Sequence, residues 1–239
     1  MSQPVPVRPR YTYALVTAES TGRPHPRLYR DCRGLGTGSW EQLNLRLVAD
    51  LNRNAVNQYK GFAAHSGVIG VNGRAIALPA DSKGGKSTLT AAAVMAGFDY
   101  ASDESLCLDF ETKMVEPYPK PITLSGDSCR LLDMKGPTHQ EQLGERALIP
   151  EDLGGKTSSN ILELTDVVFS EYGHNQAELN PVPASEIVAG LLKLSFNHYK
   201  QPAESFQLVT EIARSARAWR LMYSEPAEAV ALLRSELVG

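Results

Sequence analysis

Apolar residues recur every three or four positions from Trp40 through Leu43, Leu47, Leu51 and Ala55 to Tyr59. This spacing predicts an amphipathic helix starting at Ser39, which makes a capping-box pair with Gln42. Before it, residues 1 to 38 are rich in Pro, Gly and Arg around one β-prone island, "YTYALVTA", and predict one strand and a loop. From Ala64 to Leu78 two apolar runs flank Asn72-Gly73, whose tolerance of positive φ predicts a type I′ hairpin. A helix is expected from Ser87 to Ala96 with Gly97 as its stop, then strands near Phe98 to Ala101 and Ser105 to Asp109, and another through Met114 and Val115.

Residues 134 to 160 are polar and interrupted by Gly and Pro, which predicts a surface excursion with a short helix inside. "TDVVF" at Thr165 to Phe169 reads as a buried strand. Periodicity predicts helices from Ser185 to about His198 and from Ala203 to Ala218, a strand over Trp219 to Tyr223, and a last helix opening at Pro226 and ending near Leu237. Strands alternate with helices, so the expected class is α/β with some antiparallel pairing.

Composition narrows the function classes. With 239 residues, 42% of them hydrophobic, the chain is long enough for one sizeable core plus an appendage. The division expected is residues 1–60 as an N-terminal strand, loop and helix, and residues 61–239 as the main domain. A net charge of -3 offers no basic field for a phosphate backbone, so nucleic acid is not an expected partner. Cys32, Cys107 and Cys129 are odd in number and widely spaced, suggesting neither a disulfide framework nor a zinc site. No apolar run is long enough for a membrane span, and the N-terminus carries no apolar targeting core. The expectation is a cytoplasmic protein without a membrane partner.

The chemistry concentrates at "ADSKGGKST", Ala80 to Thr88, between the second hairpin strand and the alanine-rich helix. A phosphate-binding loop works because successive backbone N–H groups and a helix N-terminus surround the phosphate with donors. Ala80, Asp81, Ser82, Lys83, Gly84, Gly85, Lys86 and Ser87 fit the spacing G-x-x-x-x-G-K-S at every fixed position except the first, where Ala80 replaces glycine. In this reading Lys86 reaches the β and γ oxygens, the Ser87 hydroxyl ligates Mg²⁺, and Thr88 follows in the first turn. Downstream, "SDES" places Asp103 and Glu104 after a short strand. Carboxylates there can hold Mg²⁺ or take a proton from an attacking hydroxyl, although "SDES" alone also reads as a solvated turn. His65 stands at the start of the hairpin, where a histidine is either structural or catalytic.

The order His65-x-Gly67, Asn-Gly hairpin, "ADSKGGKST" and "SDES" resembles the catalytic domain of HPr kinase/phosphorylase, whose pattern is H-G, hairpin, G-x-S-G-x-G-K-S and A-D-D. It resembles still more the smaller HPr kinase-related proteins, including kinases of a C-terminal serine in lasso-peptide precursors. Shared with those are "PYPKPITL" from Pro117, "FSEY" from Phe169, "FNHY" from Phe196 and "RLMYSEPAEAVALL" from Arg220. The resemblance runs from about Phe62 to the end. It implies a phosphoenolpyruvate-carboxykinase-like P-loop fold, a mixed sheet with flanking helices, and phosphoryl transfer from ATP or another nucleoside triphosphate with Mg²⁺.

By the same resemblance, Asp103 is the general base, Glu104 assists Mg²⁺, His65 lies near the reacting phosphate, and Lys120 faces the transferred group or acceptor. The acceptor is a serine of a peptide or small protein, or a hydroxylated metabolite. Ala80 and Glu104 depart from the pattern, and they motivate an alternative: a nucleotide-binding regulatory or partner protein without turnover. "LLKLSF" and the Trp40 helix are candidate faces for a homo-oligomer.

Overall fold

A computed structural model describes residues 10–17, 25–80, 85–134 and 145–238. The chain divides into two compact units, Met1–Ala55 and Val56–Gly239.

The first unit holds a three-stranded antiparallel sheet of β1 (Tyr13–Val16), β2 (Arg27–Arg30) and β3 (Arg33–Thr37). Only the first of these strands was expected. The other two are dominated by Arg and Gly, residues of little β-propensity, and only Leu28 among them is buried. Helix α1 (Trp40–Gln58) starts in this unit and ends in the next, and the Ser39–Gln42 capping box forms in both directions. Its expected apolar stripe is only partly covered: Leu43 is buried, whereas Trp40 and Leu51 are exposed. The helix instead turns Asp50 toward Arg30, whose Nη1 donates to both carboxylate oxygens, and Tyr13, whose hydroxyl donates at 2.8 Å.

The second unit is a mixed α/β domain on an eight-stranded sheet. Its strands are β4 (Phe62–Val71), β5 (Arg74–Pro79), β6 (Asp99–Ser102), β7 (Ser105–Leu108), β8 (Val115–Glu116), β11 (Glu163–Tyr172), β12 (Glu178–Pro181) and β13 (Arg217–Tyr223). The order is β12-β13-β11-β5-β4-β7-β8, with β6 also pairing β4. β11 runs parallel to both β5 and β13, and the other pairs are antiparallel. β4 and β5 meet at Asn72-Gly73, both at positive φ as a type I′ turn requires. A separate antiparallel pair is formed by β9 (Ile122–Ser125) and β10 (Glu145–Leu148).

Two helical layers cover the large sheet. Along β5, Ile76 and Leu78 face one core with α2 (Lys86–Met95) and α6 (Pro226–Leu233). Ala75 and Ala77 face the other, with α4 (Ser185–Lys193) and α5 (Pro202–Ser215). This period-two alternation sets β5 between the two layers. α3 (Gly126–Leu131) follows β9, capped by the Ser125 hydroxyl.

Two helix ends differ from expectation. α4 stops at Lys193 because the following backbone pairs with β4: the His65 N–H donates to Leu194 O and the Phe196 N–H to Ala63 O. α5 stops at Ser215 because Arg217 already belongs to β13, opposite Asp166 of β11. In the 134–160 region the described part includes β10, a 3₁₀ turn at Pro150–Leu153 and a bridge from Thr157 to Tyr100 of β6; residues 135–144 lie outside the described residues. Among the described residues no helix is long and apolar enough to cross a membrane.

Candidate active site

β5 ends at Pro79, and buried Ala80 is the last described residue before the loop. The loop residues Asp81, Ser82, Lys83 and Gly84 lie outside the described residues. Gly85 resumes the chain at φ 79°, in the left-handed region where a side chain is strained, and caps α2. Lys86 is buried, and its Nζ donates to the Ala80 carbonyl at 2.7 Å, tying the head of α2 to the end of β5. The helix is buried along most of its length, so its N-terminal N–H groups and the positive end of its dipole are fixed in place.

From the first turn of α2, two hydroxyls point in different directions. Ser87 Oγ donates to Asp103 Oδ2 at 3.1 Å, and Thr88 Oγ1 donates to Ser128 Oγ at 2.8 Å. Asp103 leaves the end of β6 with its side chain only 2% exposed. Its other oxygen, Oδ1, accepts the Tyr100 hydroxyl at 2.9 Å and lies 2.8 Å from Lys120 Nζ. Tyr100 was not among the expected site residues. It is an aromatic inside an apolar strand, and nothing in the sequence separates it from ordinary core. Burial and the Asp103 charge both raise its hydroxyl pKa, which keeps it a donor.

Glu104 takes the outer side. Its side chain is 39% exposed, with Oε2 3.6 Å from Lys120 Nζ and Oε1 3.9 Å from His65 Nδ1. His65 Nδ1 also lies 3.1 Å from the Glu104 carbonyl, and Phe196 packs edge-on against the imidazole at 5.6 Å. Burial, and then the charge of Lys86, hold the imidazole pKa below its ordinary value, so it favours the neutral form. The fold thus brings His65, Lys86, Ser87, Asp103, Glu104 and Lys120 into one constellation. It sets Ser87 against Asp103 rather than against Glu104.

The C-terminal motifs divide their work. Asn197 is buried and structural: Oδ1 accepts the Ala63 N–H at 3.0 Å and Nδ2 donates to Gly61 O at 2.9 Å, fixing the start of β4. Tyr172 and Tyr223 pair across β11 and β13 with rings 5.7 Å apart. Burial pushes the Tyr223 hydroxyl up to about 12. Beyond Ala80, a cavity of about 680 Å³ opens over Phe169, Tyr172, Glu186 and Arg220. There Arg220 donates to Glu186 at 2.7 Å and lies 3.6 Å from Glu171.

As to metal chemistry, the Ser87 and Asp103 oxygens are separated by nearly the edge of an oxygen octahedron around Mg²⁺, about 2.9 Å for ligands at 2.0–2.1 Å. Among the described residues no group of three or more His, Cys, Asp or Glu side chains forms a cage. All three cysteines are free. No family model matches the chain, and no curated protein is significantly similar to it.

Proposed function

We propose that the chain is a kinase with an HPr kinase-like P-loop fold of the phosphoenolpyruvate-carboxykinase-like type. It transfers the terminal phosphoryl group of ATP, or another nucleoside triphosphate, to a hydroxyl of a peptide, small protein or metabolite. The observation that carries this reading is the Ser87–Asp103–Lys120 chain of contacts, at 3.1 and 2.8 Å, at the head of a buried helix whose own lysine points back to the preceding strand.

Phosphoryl transfer asks a protein mainly for positioning and charge stabilisation. Lys86 and the N-terminal amides of α2 bind the β and γ oxygens, and Lys120 approaches the transferred group from the acid side. Ser87 and Asp103 would hold Mg²⁺, which when bound neutralises charge on those oxygens.

The geometry favours dividing the acids in the opposite sense to the resemblance. Both Asp103 oxygens already accept from Ser87, Tyr100 or Lys120 in an enclosed place, which suits a fixed ligand position beside Ser87 better than a base that must meet a mobile acceptor hydroxyl. Glu104 is open to solvent beside Lys120 and His65, and serves as the base. The acceptor oxygen attacks phosphorus, the bond from phosphorus to the β,γ-bridging oxygen breaks, its electron pair leaves with the diphosphate, and the hydroxyl proton passes to Glu104.

The test is transfer of labelled terminal phosphate from Mg-ATP to a panel of serine peptides and hydroxylated metabolites, with slow hydrolysis as the fallback signal. Glu104→Gln should lower turnover by ~10²- to 10⁴-fold with nucleotide affinity kept, the usual contribution of a positioned base. Turnover equal to wild type in Glu104→Gln would return the base to Asp103. Nucleotide binding with neither transfer nor hydrolysis in the wild type would replace the kinase by a nucleotide-binding regulatory protein.

A further inference from the structure

Tyr172 and Tyr223, each the last residue of its strand, close one side of a cavity of about 190 Å³ whose other walls include Gly85, Thr88, Ser128 and Leu131. Tyr223 is 1% exposed, and its hydroxyl has no hydrogen-bond partner among the described residues. A Cβ added to Gly85 would sit 2.8 Å from that hydroxyl, so the unsatisfied group faces the glycine at the head of α2. A buried donor without a partner costs stability, and its retention beside a helix N-terminus points to a ligand that satisfies it.

We infer that this cavity receives the nucleoside end of the phosphate donor, with the base against Leu131 and the Tyr172–Tyr223 pair, and the Tyr223 hydroxyl donating to a ribose or innermost phosphate oxygen. The inference rests on the nucleotide-binding reading above. Its direction comes from α2. Consecutive helical residues point ~100° apart. Ser87 turns to Asp103 and Thr88 turns to Ser128. A polyphosphate lying across the helix head therefore has one end at the acids, where transfer takes place, and the other at the tyrosines. The volume is below the roughly 300–1,000 Å³ of a site for a whole drug-sized ligand, which suits a base with part of its ribose while the phosphates lie outside it, at the head of α2. The walls combine the Thr88 and Ser128 hydroxyls and Asp127 with aromatic and aliphatic carbon.

The experiment compares Mg-ATP with Mg-tripolyphosphate, which has the phosphates and no nucleoside, by calorimetry on the full chain. The wild type should bind ATP more tightly than tripolyphosphate. Leu131→Trp, which fills the cavity from a half-exposed position, should weaken ATP by about tenfold or more and change tripolyphosphate by less than about twofold. Tyr223→Phe, which removes only the hydroxyl, should weaken ATP by several-fold with the same selectivity; it carries the test if the tryptophan variant does not fold. Equal wild-type affinity for the two ligands, or variants that bind ATP like the wild type, would overturn the nucleoside site while leaving the phosphate loop standing. A wild type that binds neither ligand would remove the nucleotide reading itself, and this inference with it.

Discussion

Ser87 and Asp103 stand 16 residues apart in sequence and 3.1 Å apart in space, a hydroxyl on the first turn of α2 meeting a carboxylate at the end of β6. β6 pairs with β4, β4 pairs with β5, and β5 feeds the loop, so the sheet register sets this distance. A hydroxyl and a carboxylate held this way are two hard oxygens whose spacing the fold sets.

If these oxygens hold Mg²⁺, Asp103→Asn should raise the Mg²⁺ concentration needed for nucleotide binding by about 10- to 100-fold, the range seen when groups that anchor a metal are altered. The measurement is the melting-temperature rise with ATP across a Mg²⁺ titration, since ligands bound only by the native state stabilise it by mass action. A titration midpoint unchanged from wild type would count against the metal role of Asp103.

Lys86 carries the second prediction. Its ammonium is buried at the loop and reaches the Ala80 carbonyl at 2.7 Å. Lys86→Ala should weaken ATP binding by about tenfold or more, because a cation facing the β and γ oxygens is lost. The melting temperature without nucleotide, measured alongside, separates this loss from a general loosening of the strand-to-helix junction. Unchanged affinity would end the phosphate-loop reading.

Much of this site was legible in the sequence because its determinants are local. The Asn72-Gly73 hairpin, the glycine at Gly85 and the apolar helix behind it are each encoded within a few residues, and each appears as expected. The contacts that decide roles are not local. Which carboxylate faces Ser87 depends on how β6 leaves the sheet, and Tyr100 becomes a site residue only because β6 places its hydroxyl on Asp103. The tyrosines of "FSEY" and "RLMY" are 51 residues apart, and they meet only through the parallel pairing of β11 and β13. At the N-terminus, strands of Arg and Gly gave no apolar alternation to read, and their register rests on backbone pairing and the Arg30–Asp50 contact.

Asp166 carries a stability prediction apart from the site. It is 1% exposed in β11 and accepts from Arg217 Nε at 2.8 Å and Trp219 Nε1 at 2.9 Å, both across the parallel pair with β13. Asp166→Ala leaves these donors unmatched in a partly enclosed place and should cost about 2–4 kcal/mol, toward the upper range for breaking a buried polar network. Arg217→Ala should cost less, because the guanidinium side chain is half exposed and the Trp219 Nε1 and Thr165 hydroxyl donors to Asp166 remain. Urea unfolding of the two variants measures both, and equal losses would show that Asp166 does not organise this strand pair.

His65 gives a prediction in pH. Its imidazole sits between Glu104 and Phe196 with a side chain 24% exposed, and burial followed by the Lys86 charge lowers its pKa from the ordinary 6.5; the carboxylates of Glu104 and Asp103 oppose the shift without reversing it. The folded protein therefore holds the proton less well than the unfolded chain, and in that window the unfolded state binds more protons. Stability then rises with pH. The contribution is fully present above about pH 6.5 and is lost as pH falls through the lower folded value. Wild type should accordingly lose more stability between pH 7.5 and 5.5 than His65→Gln, which keeps a polar side chain of similar reach but does not titrate. Urea midpoints of both proteins at the two pH values provide the measurement. Equal losses would mean that the imidazole is not held neutral by its burial against Phe196 and the nearby Lys86 charge.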